Sequence, residues 1–224
     1  MRHIDRLPKP DILEKKHDEW LEKYLIKRES NPSARPDSSK YGNPSVTKCL
    51  HSCSFGKCFY CETKLNERSI EIDHFKEVHF FPELAYTWGN LYMSCSNCND
   101  KVDCHVIPVE EVLDPCKDSD EEIRANITFE DECICSQPYS IKGMKTIKKF
   151  RLNTDSLDLK RSRWLRQIAN EALEIRGQMI KEGRKVETEE EKRRLLRYTQ
   201  PDQPYSMMSE IYLRKRMKHL FDLI

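Results

Sequence analysis

The run Lys57-Cys-Phe-Tyr-Cys-Glu62, continued by Ile72-Asp-His-Phe75, Trp88-Gly-Asn-Leu91 and Cys95-Ser-Asn-Cys-Asn-Asp-Lys101, governs the interpretation of the whole chain. Two Cys-x-x-Cys pairs, Cys58/Cys61 and Cys95/Cys98, bracket a segment that carries Asp73-His74 and Asn90-Leu91. Each pair brings two sulfurs to one ion, and two pairs complete a closed tetrahedral set, so the spacing predicts a four-cysteine zinc site. A closed site leaves no position for water, which makes this zinc structural. An iron site of the same ligand set and a coincidence of buried thiols are the competing interpretations.

The residues between the pairs suit phosphodiester hydrolysis. That reaction needs a nucleophile in line with the leaving oxygen and neutralisation of phosphate charge. Histidine supplies a base that is partly neutral near pH 7. A carboxylate and an amide supply hard oxygen ligands for Mg2+ or Mn2+. Ser69-Ile-Glu-Ile-Asp-His-Phe75 alternates like a strand ending on Asp73-His74, where successive side chains point apart. Asp73 can then hold a cation while His74 addresses water, and Asn99, placed by the second knuckle, can offer a second oxygen. Taken singly, Asp73-His74 is ordinary, a surface pair or a satisfied core histidine, and Asn90 a loop cap.

Bulk composition fits a small centre with long solvated helices. Of 224 residues, 38% are hydrophobic and 34% charged, and the formal net charge of +1 means that a nucleic-acid partner must be met by a local basic surface. The first residues, Met1-Arg-His-Ile-Asp-Arg-Leu-Pro8, contain no apolar signal region, and no long apolar run suggests a membrane span. The expected compartment is cytoplasmic, where ten cysteines are metal ligands or thiols rather than disulfides.

Working outward, the N-terminal part (1–45) is expected to hold a helix over 8–30, with Leu13, Trp20, Leu21, Tyr24 and Leu25 on one face, and a breaker-rich linker over 31–45. The nuclease core is assigned to 46–110, with a short helix over 46–53, strands ending on His74 and over Leu91–Ser94, and a helix starting near Asn97. The remainder (111–224) is expected to open with an acidic solvated connector. A hairpin around Ile127–Phe129 and Cys133–Cys135 follows, then a strand over Ile147–Leu152. Helices are expected at about 156–182, 187–198 and 207–222. The fold class is therefore α+β: a zinc-stapled ββα-metal core with helical extensions. Cys49 and Cys53 are read as buried thiols and His105 as an ordinary loop histidine, while Cys104, Cys116, Cys133 and Cys135 carry no assigned role.

These motifs, in this order, resemble the HNH endonucleases of the four-cysteine zinc type. The resemblance implies that His74 is the general base, Asp73 the adjacent metal ligand, Asn90 the residue orienting base and loop, and Asn99 the last motif position, here Asn rather than His. Lys101 matches a frequently basic position and is a candidate phosphate contact. Gly56-Lys-Cys-Phe-Tyr-Cys-Glu62, Phe81-Pro-Glu-Leu-Ala-Tyr-Thr-Trp88, Leu113-Asp-Pro115 and the segment from Thr146 to Arg161 also resemble the PtuB family of Septu anti-phage nuclease subunits, including retron-associated versions. That likeness implies cleavage of nucleic acid, DNA first, in association with a PtuA-like ATPase subunit. The alternative function is a non-catalytic zinc module that uses its helices for docking.

Overall fold

Pro10 ends an extended N-terminal arm and opens α1 (Asp11–Ser30). Asp11 and Glu14 in its first turn and Lys27 and Arg28 in its last complement the helix dipole. Leu13 and Tyr24 are buried, with Trp20, Leu21 and Leu25 packed beside them. The computed structural model describes residues 1–221. In the breaker-rich segment, the Asp37 carboxylate accepts from the Ser39 amide at 3.0 Å and starts a one-turn helix, α2 (Ser38–Tyr41). Asn43 caps α3 (Pro44–Cys53) in the same way, and Pro44 sits in the first turn, where its missing N–H costs nothing.

The centre consists of β1 (Glu71–His74) and β2 (Leu91–Ser94), antiparallel with Asp73 opposite Tyr92 and His74 opposite Leu91, followed by the short helix α4 (Ser96–Asn99). The N-terminal arm straps this hairpin. Arg6 donates to the carbonyls of Trp88 and Leu91, each at 3.0 Å, and its guanidinium lies 4.5 Å from the centre of the Tyr92 ring.

The acidic stretch is less solvated than composition suggests. Val112 and Leu113 are buried, and Ser119 caps α5 (Asp120–Asn126). The second hairpin, β3 (Ile127–Glu130) with β4 (Cys133–Ser136), forms where expected. The strand expected over Ile147–Leu152 does not: the first half of that segment is the end of α6 (Ile141–Lys149) and the rest is turn. Ser140 Oγ accepts from the Gly143 amide at 2.9 Å and starts the helix upstream of the apolar pattern. The helix then buries Gly143, Thr146 and Ile147 on one face, so Ile147 belongs to the tail of a helical stripe rather than to a strand.

Helix α7 (Asp155–Glu182) buries Leu157, Arg161, Leu165 and Ile168 on the main core. Its second half meets α8 (Glu189–Leu196) in a small separate cluster of Ile175, Leu195 and Leu220, while Ile180 is exposed. α7 ends on Gly183 in the left-handed region (φ 65°), and α8 opens with a Thr188/Glu191 capping box. Helix α9 (Ser206–Arg216) returns to the centre, and the 200–206 segment clasps the first cysteine knuckle. Ser206 Oγ donates to Glu62 Oε1 at 2.7 Å, and Lys57 Nζ donates to the carbonyls of Pro201 and, at 3.1 Å, Gln203. One continuous core draws buried residues from Met1 to Leu213. Among the described residues, no helix is long and apolar enough to cross a membrane.

Candidate active site

The knuckles converge as their spacing requires. The sulfurs of Cys58, Cys61, Cys95 and Cys98 lie within 4.8 Å of one another, and all four residues are buried. Zn–S bonds of about 2.3 Å imply sulfur–sulfur edges of about 3.8 Å in a tetrahedron; Cys61 Sγ and Cys95 Sγ are 3.7 Å apart. The cluster suits zinc. Thr63 Oγ1 lies 3.1 Å from Cys61 Sγ and 3.0 Å from the Tyr205 hydroxyl, giving this sulfur an outer partner that runs to the base of α9. The other six cysteines are free thiols outside the cluster. Cys53 is buried and accepts from the Leu7 amide, while burial pushes the Cys116 thiol up to about 12. His105 packs edge-on against Phe80, as an ordinary histidine would.

At the far end of β1, alternation sends Asp73 and His74 to opposite faces. His74 is 9% exposed, and its Nε2 lies 2.8 Å from the Ala85 carbonyl oxygen. A carbonyl only accepts, so Nε2 carries the proton and Nδ1 of the neutral ring holds the basic lone pair. Burial lowers the ring's pKa and outweighs the Ala85 hydrogen bond, which favours that neutral form. The Tyr41 ring stands against it at 4.7 Å, close to perpendicular. Asn90, 5% exposed, fixes the loop that supplies Ala85. Its Oδ1 accepts from the Lys76 amide at 2.8 Å, and its Nδ2 donates to the carbonyls of Lys76 at 3.0 Å and Leu84 at 3.3 Å.

Asp73 faces inward. The Tyr60 hydroxyl donates to its Oδ2 at 2.6 Å, and Lys101 Nζ lies 2.8 Å from both carboxylate oxygens. Burial and the Asp73 carboxylate together push the Tyr60 pKa far up, so the phenol keeps its proton and donates it. Lys101 also donates to the carbonyls of His74 at 2.6 Å and Phe75 at 3.1 Å, and its side chain is 5% exposed. Lys101 therefore presents no ammonium to solvent here. Asn99 stands elsewhere: its Nδ2 donates to Glu71 Oε2 at 2.6 Å, beside the opposite end of β1.

The structure thus brings His74 and Asn90 to one loop and Asp73 and Lys101 to one buried pair, while Asn99 hydrogen-bonds Glu71. Both oxygens of Asp73 are engaged by the Lys101 ammonium. As arranged, Asp73 does not fit a divalent cation, and no step is assigned to one. Among the described residues, the four cysteines are the one grouping of three or more His, Cys, Asp or Glu side chains close enough to share an ion. Glu71, Tyr60 and Tyr41 were missed from sequence. Glu71 carried a usable signal, since it shares a strand face with Asp73 at i, i+2; Tyr41 lies in the segment taken as a linker.

The knuckle pair, the two-stranded hairpin and the histidine at its end all lie within one central segment of the chain. The HNH endonuclease family model matches residues 58–103. The likeness to that family covers this central segment of the chain.

Two curated relatives narrow the likeness. The chain is 30% identical over 118 residues to Septu protein PtuB of Bacillus thuringiensis, covering 52% of this chain and 44% of the relative. It is 29% identical over 167 residues to Septu protein PtuB of Bacillus mycoides (strain KBAB4), covering 60% of this chain and 56% of the relative. The chain spans about half the length of these relatives.

Proposed function

We propose that this chain is the effector nuclease of a Septu-type anti-phage system, cutting DNA in the cytoplasm under the control of an ATPase subunit. A narrower version places it in a retron-associated system. The observation that carries the catalytic part is the orientation of His74. With Nε2–H donating to Ala85, Nδ1 is the atom that can take a proton from water as the water attacks phosphorus. The leaving oxygen of the DNA strand departs opposite to it. Mg2+ or Mn2+ belongs to the proposal as the cation class that the resemblance implies.

Plasmid cleavage by the zinc-loaded protein tests this, with and without the ATPase from the same genomic neighbourhood and with and without ATP. Removing a general base costs about 10²–10⁴-fold in rate, so His74→Ala is expected to lose cleavage by that factor while keeping its zinc. Equal cleavage by wild type and His74→Ala would refute the assignment. The isolated chain is expected to cut weakly, and strong cleavage without the ATPase would count against control by a partner.

A second reading, a non-catalytic zinc module, draws support from one observation: both oxygens of Asp73 are taken by the buried Lys101 ammonium. It predicts nucleic-acid or protein binding with no cleavage under any of these conditions.

A further inference from the structure

Lys101 stands at the carboxylate where the family resemblance puts a metal ion. Its Nζ is surrounded by four oxygens, the two of Asp73 at 2.8 Å and the carbonyls of His74 and Phe75 at 2.6 and 3.1 Å. Negative and partly negative oxygens that all converge on one point make a cation site, and here the cation is covalently part of the chain. The two side chains are 5% and 6% exposed, so neither charge is shared with solvent.

We infer that Lys101 is an internal substitute for a divalent ion at Asp73, and that a metal reaches Asp73 only by displacing this ammonium. Three physical points support this. Asp73 has no unengaged oxygen, because Tyr60 also donates to Oδ2. A divalent ion at the carboxylate would lie within a few ångströms of a buried ammonium, where low dielectric makes repulsion strong. The exit also has a defined form. The backbone beside Lys101 is tied, with the Val102 amide donating to the Lys149 carbonyl at 2.8 Å, so the side chain swings while the chain stays in place. Once swung out, the ammonium is free to meet a phosphate, which reconciles the inward Lys101 with the phosphate contact expected of it.

The inference deepens the nuclease reading of this strand end and rests on it for its consequence, that loading the site with metal requires a change at Lys101. Its test reads metal binding, so it is separable from the test of cleavage. Free Mn2+ is followed by electron paramagnetic resonance during titration of the zinc-loaded full chain. Lys101→Gln is expected to bind Mn2+ at least about tenfold more tightly than wild type. Lys101→Arg, which keeps the charge, is expected to stay near wild type, and adding Asp73→Asn to Lys101→Gln is expected to erase the gain. No gain in Lys101→Gln, or a gain that survives loss of the Asp73 carboxylate, would overturn the inference.

Should Lys101→Gln not fold, wild-type crystals soaked in Mn2+ decide the matter. Anomalous scattering is expected to show no Mn2+ at Asp73 while Lys101 remains bonded to it; Mn2+ at Asp73 with the ammonium still in place would overturn the inference. If these results hold and no form of the protein cuts DNA, the nuclease reading fails and the cation exchange stands.

Discussion

The two ends of the β1–β2 hairpin are built on opposite logics. At the knuckle end, four identical side chains are gathered by two tight turns, and the geometry follows from spacing alone. At the Asp73–His74 end, neighbours in sequence part company. His74 goes to a loop carbonyl, Asp73 to a buried lysine from beyond α4, and Asn99 to Glu71. One end is built to share one external ion, the other is held by internal polar contacts. Ligand clusters can therefore be inferred from spacing, whereas polar pairs depend on which partner the fold delivers.

The sharpest way to break this contrast is to remove the ion. Structural zinc in small cysteine sites is worth on the order of 10 kcal/mol of folding free energy. Cys58→Ser, or a strong chelator, is therefore expected to unfold the domain, seen as loss of the cooperative thermal transition together with loss of bound zinc. Next comes the internal pair. Asp73→Ala leaves the Lys101 ammonium buried without its counter-ion, a change that costs about 3–5 kcal/mol. Asp73/Lys101 replaced together by apolar residues should recover much of that loss, and urea denaturation of the single and double variants measures it. A double variant no more stable than Asp73→Ala would show that the pair is not self-contained.

Asn90→Ala is expected to be milder. It strands buried backbone groups of residues 76 and 84, worth about 1–3 kcal/mol. It should also lower cleavage by loosening the carbonyl that orients His74. The smallest expected effect lies away from both ends. Burial of Glu210 works against its ionisation, but hydrogen bonds from Arg124 and Arg214, helped by Arg2, hold its pKa down to about 2 from 4.5. A carboxyl lowered on folding contributes stability above its unfolded pKa and loses it as pH falls through the folded value. The stability gap between wild type and Glu210→Gln is thus expected to be full above about pH 4.5 and to close toward pH 2, read from denaturation midpoints across that range.

Much of the centre was legible because its signals are local. The zinc ligands, both central strands, the second hairpin and the long α7 follow from spacing and periodicity. Misjudgements arose where the deciding contact is remote. Ile147, Phe150 and Leu152 stand among basic residues as in a short strand, yet the helix is started by Ser140, ahead of that segment. Tyr41 sat among breakers, and nothing near it in sequence points to His74, 33 positions away in a different element. Lys101 was expected from the family resemblance to be a phosphate contact, which needs an accessible ammonium. Its burial depends on a carboxylate and two carbonyls at the end of β1, which the knuckle brings within reach.

The clasp of residues 200–206 on the first knuckle carries a thermodynamic corollary. Glu62 directly follows the ligand Cys61, and Ser206, Tyr205 and Lys57 all converge on it or on its neighbour Thr63. Metal binding that orders Cys61 therefore lowers the free energy of seating α9, and linkage is reciprocal. A ligand that bound only the seated C-terminal helices would tighten zinc retention by the factor by which zinc tightened that ligand, so metal loading and the seating of α9 are a single coupled equilibrium.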